Sequence, residues 1–232
     1  MSVMPIDGAL SAALASRWRP GLPLAPHNEV FAPGREGSGA AMALALALDG
    51  LRVAGAGERD VLWVQDGASL RLTGRPYRPG LPAELRRRVI HVAAPSCEDA
   101  LFALEEGVRC RDLACVIGEI AGNSRALDFI ASRRLSLAAA KHGVPLWLVR
   151  LDAARDLSSA RMRWQVRAAP SLPPRWNAAA PGAPAWRAEL FRARAHTPGE
   201  WILHDDGHEL VATKADHGDL ADAAGGRSLA AR

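Results

Sequence analysis

The stretch from Asn28 to Leu48, NEVFAPGREGSGAAMALALAL, constrains the fold of this chain more than any other. A short extended run, Glu29 to Ala32, enters a loop holding Gly34, Gly37 and Gly39, and from Gly39 an Ala/Leu-rich segment reads as a helix. Strand, glycine loop and helix in that order make a phosphate-binding loop (P-loop), in which backbone N–H groups and a helix N-terminus cradle anions. The spacing agrees, with four residues between Gly34 and Gly39. The chemistry does not. The motif next requires Lys and then Ser or Thr, and this chain has Ala40 and Ala41. The ammonium that reaches the β/γ-phosphates and the hydroxyl that holds Mg²⁺ are therefore both missing. The chain has only two lysines, Lys141 and Lys214, both far along the sequence. The expectation is a loop of Gly34, Gly37, Ser38, Gly39, Ala40 and Ala41 with the shape of a P-loop and not its catalysis. The plainer alternative is an ordinary glycine-rich turn. Neither a cofactor nor a metal is expected.

A chain of 232 residues suits one domain with tails. Its 49% hydrophobic and 23% charged residues are ordinary for a globular protein. The longest apolar run, Ala40 to Leu48, is far too short to span a membrane, so no membrane association is expected. The N-terminus, MSVMPIDGALSAAL, lacks a basic region ahead of an apolar core, and a cytoplasmic address follows as an expectation. Cys97, Cys110 and Cys115 are odd in number and form no CxxC, which points to small buried or half-buried residues rather than a disulfide framework or zinc site. The net charge of +4 is carried almost wholly by arginine, which leaves nucleic acid and an acidic protein surface both open as partners.

Residues 1–26 read as an amphipathic helix over 7–18, capped by Asp7 with Leu10, Ala13, Leu14 and Trp18 at helical spacing, then a linker broken by Pro20, Pro23 and Pro26. Such a helix docks either on its own domain or on a partner. Val61 to Val64 is a buried parallel strand ending at Asp66, a turn residue or a leftover acid. Gly74 to Gly80 is a loop with the only tyrosine, Tyr77. His91, inside the apolar run Val89 to Val92, reads as a core or edge histidine rather than a ligand. Ser96 and Asp99 resemble a capping box ahead of a helix lined by Leu101, Leu104 and Val108. Leu113 to Ile120 is a buried strand with Glu119 near its end, where a metal-coordinating Walker B carboxylate would sit. Arg125 to His142 is a helix with an apolar arc of Leu127, Ile130, Ala131, Leu135, Leu137 and Ala138. Arg134 falls inside that arc, where it either snorkels or pairs with an acid such as Glu119. Gly143 stops the helix, and Pro145 to Val149 supplies another strand.

From Arg150 the character changes. Arg150, Arg155, Arg161, Arg163, Arg167, Arg175, Arg187, Arg192 and Arg194 face only Asp152, Asp156 and Glu189 within the same span. Arg161 to Arg167, RMRWQVR, alternates basic and apolar residues at a strand period. Trp186 to Phe191 and Glu200 to His204 read as further strands. Arg161, Arg163 and Arg167, with Trp164 and Trp186 between them, form a candidate surface for DNA or a protein partner; a solvated face on an edge sheet is the alternative. Residues 205–232 are expected to be a disordered tail.

This order of elements resembles the RecA-like ATPase core: α/β, three layers, a mostly parallel sheet with antiparallel C-terminal strands. More closely it resembles the ImuA family, through HNEVFAPGREGSGAA (His27 to Ala41), DALFALEEGVRCRDLACVIGEI (Asp99 to Ile120), DFIASRRLSLAAAKHGVPLWLVRL (Asp128 to Leu151) and SSARMRWQVRAAPS (Ser158 to Ser171). The resemblance covers residues 27–204, the expected RecA-like domain. It implies a RecA-fold accessory protein of SOS-induced mutagenesis that is not an enzyme. Its implied partners in translesion synthesis are ImuB, a catalytically dead relative of Y-family polymerases, and an error-prone DnaE-type polymerase. Binding to RecA, restraint of recombination and a place in the cytoplasm near the nucleoid are implied in the same way. Two alternatives stand beside it: a DNA-binding module using the Arg-rich 150–194 region, and a divergent ATPase in which Arg35 replaces the missing lysine.

Overall fold

A computed structural model describes residues 16–215, except 24, 56–57, 172, 175–176, 178–179 and 206–208. In chain order the elements are β1 (Ser16–Arg17), β2 (His27–Ala32), α1 (Ser38–Val53), β3 (Asp60–Asp66), α2 (Gly67–Thr73), β4 (Val89–Ala94), α3 (Cys97–Arg109) and β5 (Leu113–Ala121). There follow α4 (Phe129–His142), β6 (Leu146–Leu151), β7 (Met162–Ala168), β8 (Ala185–Ala193), β9 (His196–Thr197), β10 (Gly199–Asp205) and β11 (Leu210–Lys214).

Nine strands form one sheet in the order β11-β10-β8-β7-β2-β6-β5-β3-β4. The strands from β4 across to β7 run parallel, and β8, β10 and β11 continue the sheet antiparallel. This is the expected α/β, RecA-like core. All six residues of both β2 and β6 are buried, because helices cover both faces of a parallel sheet and leave no solvent side to alternate toward. On one face α1 packs Met42, Ala43 and Leu46 against Val30, Trp63, Val149 and Trp164. On the other, α3 and α4 pack Leu104, Val108, Ala131 and Leu135 against Leu62, Val116, Ile120 and Leu148.

Several boundaries differ from the sequence reading. α4 starts at Phe129 rather than Arg125, because Asp128 stays extended and its carboxylate accepts the Ala131 N–H at 2.7 Å as an N-cap. Its buried face is Ala131, Ser132, Leu135 and Ala139, while Ile130 and Leu137 are 66% and 60% exposed. Arg134 pairs with neither solvent alone nor Glu119: it reaches Glu105 on α3 at 3.1 Å. Gly143 ends the helix in the left-handed conformation, as expected. Ser96 caps α3 through the Asp99 N–H, and its hydroxyl donates to the Asp99 carboxylate. Cys97 is half-buried and Cys115 buried, but Cys110 is exposed.

The expected N-terminal helix lies outside the described residues over 7–15, and its last positions are not helical. Ser16–Arg17 pair in parallel with β9, and Trp18 docks on its own domain, edge-on to Trp164 at 4.8 Å and Trp201 at 5.4 Å. At the other end, β11 lies inside the segment expected to be a disordered tail: Leu210 alternates inward and pairs with Asp205. Residues 216–232 lie outside the described residues.

Candidate functional site

The glycine loop leaves the carboxyl end of β2 and opens into the crevice where open α/β sheets take their ligands. Close packing explains Gly34 and Gly39, while a Cβ on Gly37 would meet nothing within 4 Å. A Cβ on Gly39 would lie 2.7 Å from the Ala32 Cβ and 3.0 Å from the Val149 Cγ1, so α1 can start this near the sheet only without a side chain there. A Cβ on Gly34 would lie 2.5 Å from the Asp152 Oδ2. Asp152 itself sits just past β6 at a φ of 49°, a left-handed conformation that Asp adopts more readily than most residues. Its N–H donates to the Ala32 carbonyl at 3.0 Å, and its carboxylate accepts the Gly34 N–H at 2.9 Å.

A second carboxylate closes the loop from the other side. Glu36 accepts the Ser38 hydroxyl at 3.2 Å and the Ala168 N–H, at the end of β7, at 3.0 Å. Two of the loop's donors, one backbone and one hydroxyl, are thus engaged by the protein's own anions. Ala40 and Ala41 present methyl groups where an ammonium and a second hydroxyl would be needed. Beside them lies a cavity of about 320 Å³, lined also by Trp63, Thr73, Tyr77 and Glu119.

Glu119 stands at the expected strand-end position but is held by protein. Its Oε1 accepts the Trp63 indole N–H at 2.6 Å and its Oε2 accepts the Thr73 hydroxyl at 3.2 Å. Burial pushes its carboxyl above the usual range, and the hydrogen bonds from Trp63, Thr73 and Gln65 partly offset that. Gln65 donates to Thr73 at 3.1 Å and faces the His91 Nε2 at 2.8 Å, so a chain of polar groups joins Glu119 to edge strand β4. His91 is therefore an edge histidine, kept below its usual pKa by burial and then by Arg75 and Arg78. Asp66 is a turn residue, capping α2 through the Ser69 N–H. Among the described residues no group of three or more His, Cys, Asp or Glu is arranged to hold a metal.

The candidate contact arginines separate. Arg163 is only 3% exposed and is removed from any DNA or partner surface: its Nε donates to Glu29 at 2.6 Å and its guanidinium lies over Phe31 and Phe191. Arg161 and Arg167 are exposed. Trp164 and Trp186 belong to the core, at 0% and 4% exposure, and offer no stacking surface. Arg150 is buried against Asp156, Arg155 pairs with Glu189, and Arg187 pairs with Glu200. Glu29 and Glu200 come from outside the Arg-rich span, which is why counting acids within it overstated the free positive charge. Asp152, Trp63 and Thr73 were missed as site residues because no sequence spacing links them to the loop; only the sheet order brings them there.

A mostly parallel sheet with antiparallel C-terminal strands and a glycine loop after its first long strand defines the class: a RecA-like α/β protein, its loop bridged by its own carboxylates. Over 234 aligned residues, covering 89% of this chain and 88% of the relative, the chain is 35% identical to protein ImuA of Caulobacter vibrioides strain NA1000 / CB15N, and the same values hold for protein ImuA of strain ATCC 19089 / CIP 103742 / CB 15. The chain belongs to the ImuA family. No family model matches it. No helix among the described residues is long and apolar enough to cross a membrane.

Proposed function

We propose that this chain is a non-catalytic accessory factor of damage-induced mutagenesis, a RecA-like body kept for its surfaces. In this reading it acts in translesion synthesis with ImuB and an error-prone DnaE-type polymerase, and it binds RecA and restrains recombination. Its place is the cytoplasm, near the nucleoid. Family membership supports the process, and one observation carries the non-catalytic part: the glycine loop. A magnesium-bound triphosphate needs a cation, a hydroxyl for the metal and free N–H donors. Here Ala40 and Ala41 remove the first two, and Asp152 and Glu36 place negative charge on the loop itself. A triphosphate would meet repulsion where it needs attraction.

A RecA protomer joins its neighbours head to tail, and such assemblies continue only while both faces are competent. A silent copy seated at one end stops growth there. The test is titration of this protein into RecA filaments on single-stranded DNA, with ATP turnover by this protein alone measured beside it. Filament shortening well below one-to-one, without intrinsic turnover, is the expected result. Inhibition only at or above one-to-one removes the capping mechanism, unaffected filaments remove the RecA-directed role, and intrinsic turnover restores the ATPase.

The DNA-binding alternative now rests on exposed Arg161 and Arg167. It requires direct DNA affinity that falls steeply with salt and drops when both become alanine. Affinity insensitive to salt removes it.

A further inference from the structure

Along α4 lies one surface that no other described residue covers. Phe129, Arg133 and Leu137 follow one another at four-residue spacing on a single stripe, opposite the buried stripe of Ala131, Leu135 and Ala139. Phe129 is 39% and Leu137 60% exposed, with neighbouring Ile130 at 66%. The stripe forms one wall of a groove of about 540 Å³, the segment 158–161 and the residues Arg192 to Arg194, at and just past the end of β8, forming the others.

The charge of this groove is one-sided. Arg133, Arg161, Arg192 and Arg194 line it, and among the described residues no Asp or Glu does. All four are exposed, and none has an ion pair among the described residues. The contrast with their neighbours is informative: Arg150, Arg155, Arg163 and Arg187, from the same stretch of sequence, each meet a carboxylate. Four unpaired guanidinium groups held together repel one another and attract an anionic partner. The apolar members between them are two helix-borne side chains two turns apart, the spacing at which a docked amphipathic segment inserts its own large side chains. Binding of single-stranded nucleic acid relies instead on successive aromatic platforms, and among the described residues Phe129 is the only aromatic in the lining.

We infer that this groove is a docking site for an acidic, amphipathic segment of a partner protein, its carboxylates on Arg133, Arg161, Arg192 and Arg194 and its apolar side chains on Phe129 and Leu137. The inference rests on the reading of this chain as a protein that works through its surfaces, and adds which surface and what chemistry it takes.

The test is selection of a random peptide display library on the full chain, followed by anisotropy titration of the enriched peptides against the full chain and two variants. The first variant combines Arg161→Glu with Arg192→Glu; the second is Leu137→Ser. All three changes fall on exposed positions, and circular dichroism with thermal melting checks that the variants remain folded. The expected outcome is enrichment of peptides carrying Asp or Glu interleaved with large apolar residues. Their affinity weakens at least about tenfold in the charge-reversed variant, more modestly in Leu137→Ser, and falls as salt is raised. Enriched peptides without acidic residues, or equal binding to the charge-reversed variant, overturn the inference, as does the absence of any enrichment. An oligothymidylate that binds the full chain and loses binding in the same variants, with no peptide enriched, assigns the groove to nucleic acid and also overturns it. Each of these failures leaves the RecA-filament titration unaffected, so the two readings fail separately.

Discussion

Arg163 and Glu29 face each other at 2.6 Å with 4% and 1% of their side chains exposed, and the Ser158 hydroxyl donates to the second carboxylate oxygen at 2.7 Å. Removing one partner from such a pair strands a charge where water cannot reach it. Arg163→Met is expected to cost about 3–5 kcal/mol in urea denaturation, and adding Glu29→Gln to recover most of that loss, since a neutral pair carries no stranded charge. A double variant no more stable than the single one overturns this account. His27, two residues before Glu29, gives a second residue-scale prediction. It is fully buried with its Nδ1 on the Ser136 hydroxyl at 2.7 Å. Burial foremost, with Arg163 adding to it and Glu29 opposing it, lowers its pKa from 6.5 to about 4. The folded protein therefore binds this proton more weakly than the unfolded chain does. The stability this histidine contributes is whole above the unfolded pKa of 6.5 and is lost as pH falls from there through about 4. The full loss is roughly 3 kcal/mol. Urea midpoints across that range are expected to fall more steeply for the native chain than for His27→Gln; identical slopes would exclude His27 as the cause.

At the scale of the element, the glycine loop and α1 behave as one unit clamped from three strands: β2 by continuity, β6 through Asp152, and β7 through the Ala168 N–H on Glu36. This clamp predicts the outcome of restoring the missing motif. Ala40→Lys combined with Ala41→Thr supplies the ammonium and the hydroxyl but leaves both carboxylates on the loop. The doubly substituted protein is expected to show no ATP turnover above background, and nucleotide binding only when Asp152→Ala is added to release the Gly34 N–H. Turnover by the double variant alone would show that the two alanines, and not the carboxylates, are what silence the loop. α4 carries the complementary lesson. Its sequence shows one broad apolar arc, but the arc divides between a face spent on the sheet and a face left in solvent with Ile130 and Leu137.

For the molecule as a whole, Trp18 ties the N-terminal segment to the far half of the sheet. Its ring is 6% exposed and meets Trp164 on β7 and Trp201 on β10, while three residues later the Gly21 N–H donates to Asp49 on α1 at 2.7 Å. Trp18→Ala is expected to destabilise the domain by about 3–5 kcal/mol in a single cooperative transition. A separate early transition, with the main one unchanged, would show the segment to be an independent appendage. Much of this architecture was legible in the sequence. The strands β3, β5 and β6 read as largely apolar runs, β2 as a short extended run ahead of the glycines, the caps at Ser96 and Gly143 as local hydrogen-bonding chemistry, and β7 as an alternation of period two, because each of these signals lies within a few residues of itself. The glycine loop was legible for the same reason, as was its loss of Lys and Ser/Thr. Only the tertiary structure decided what became of its donors and of the arginines. Asp152 meets Gly34, Ala168 meets Glu36, and Glu29 meets Arg163 across separations of more than a hundred residues, through a strand order that no local pattern encodes. Whether a charged side chain is spent inside or left for a partner depends on which carboxylate the sheet carries to it, and that is a property of the fold.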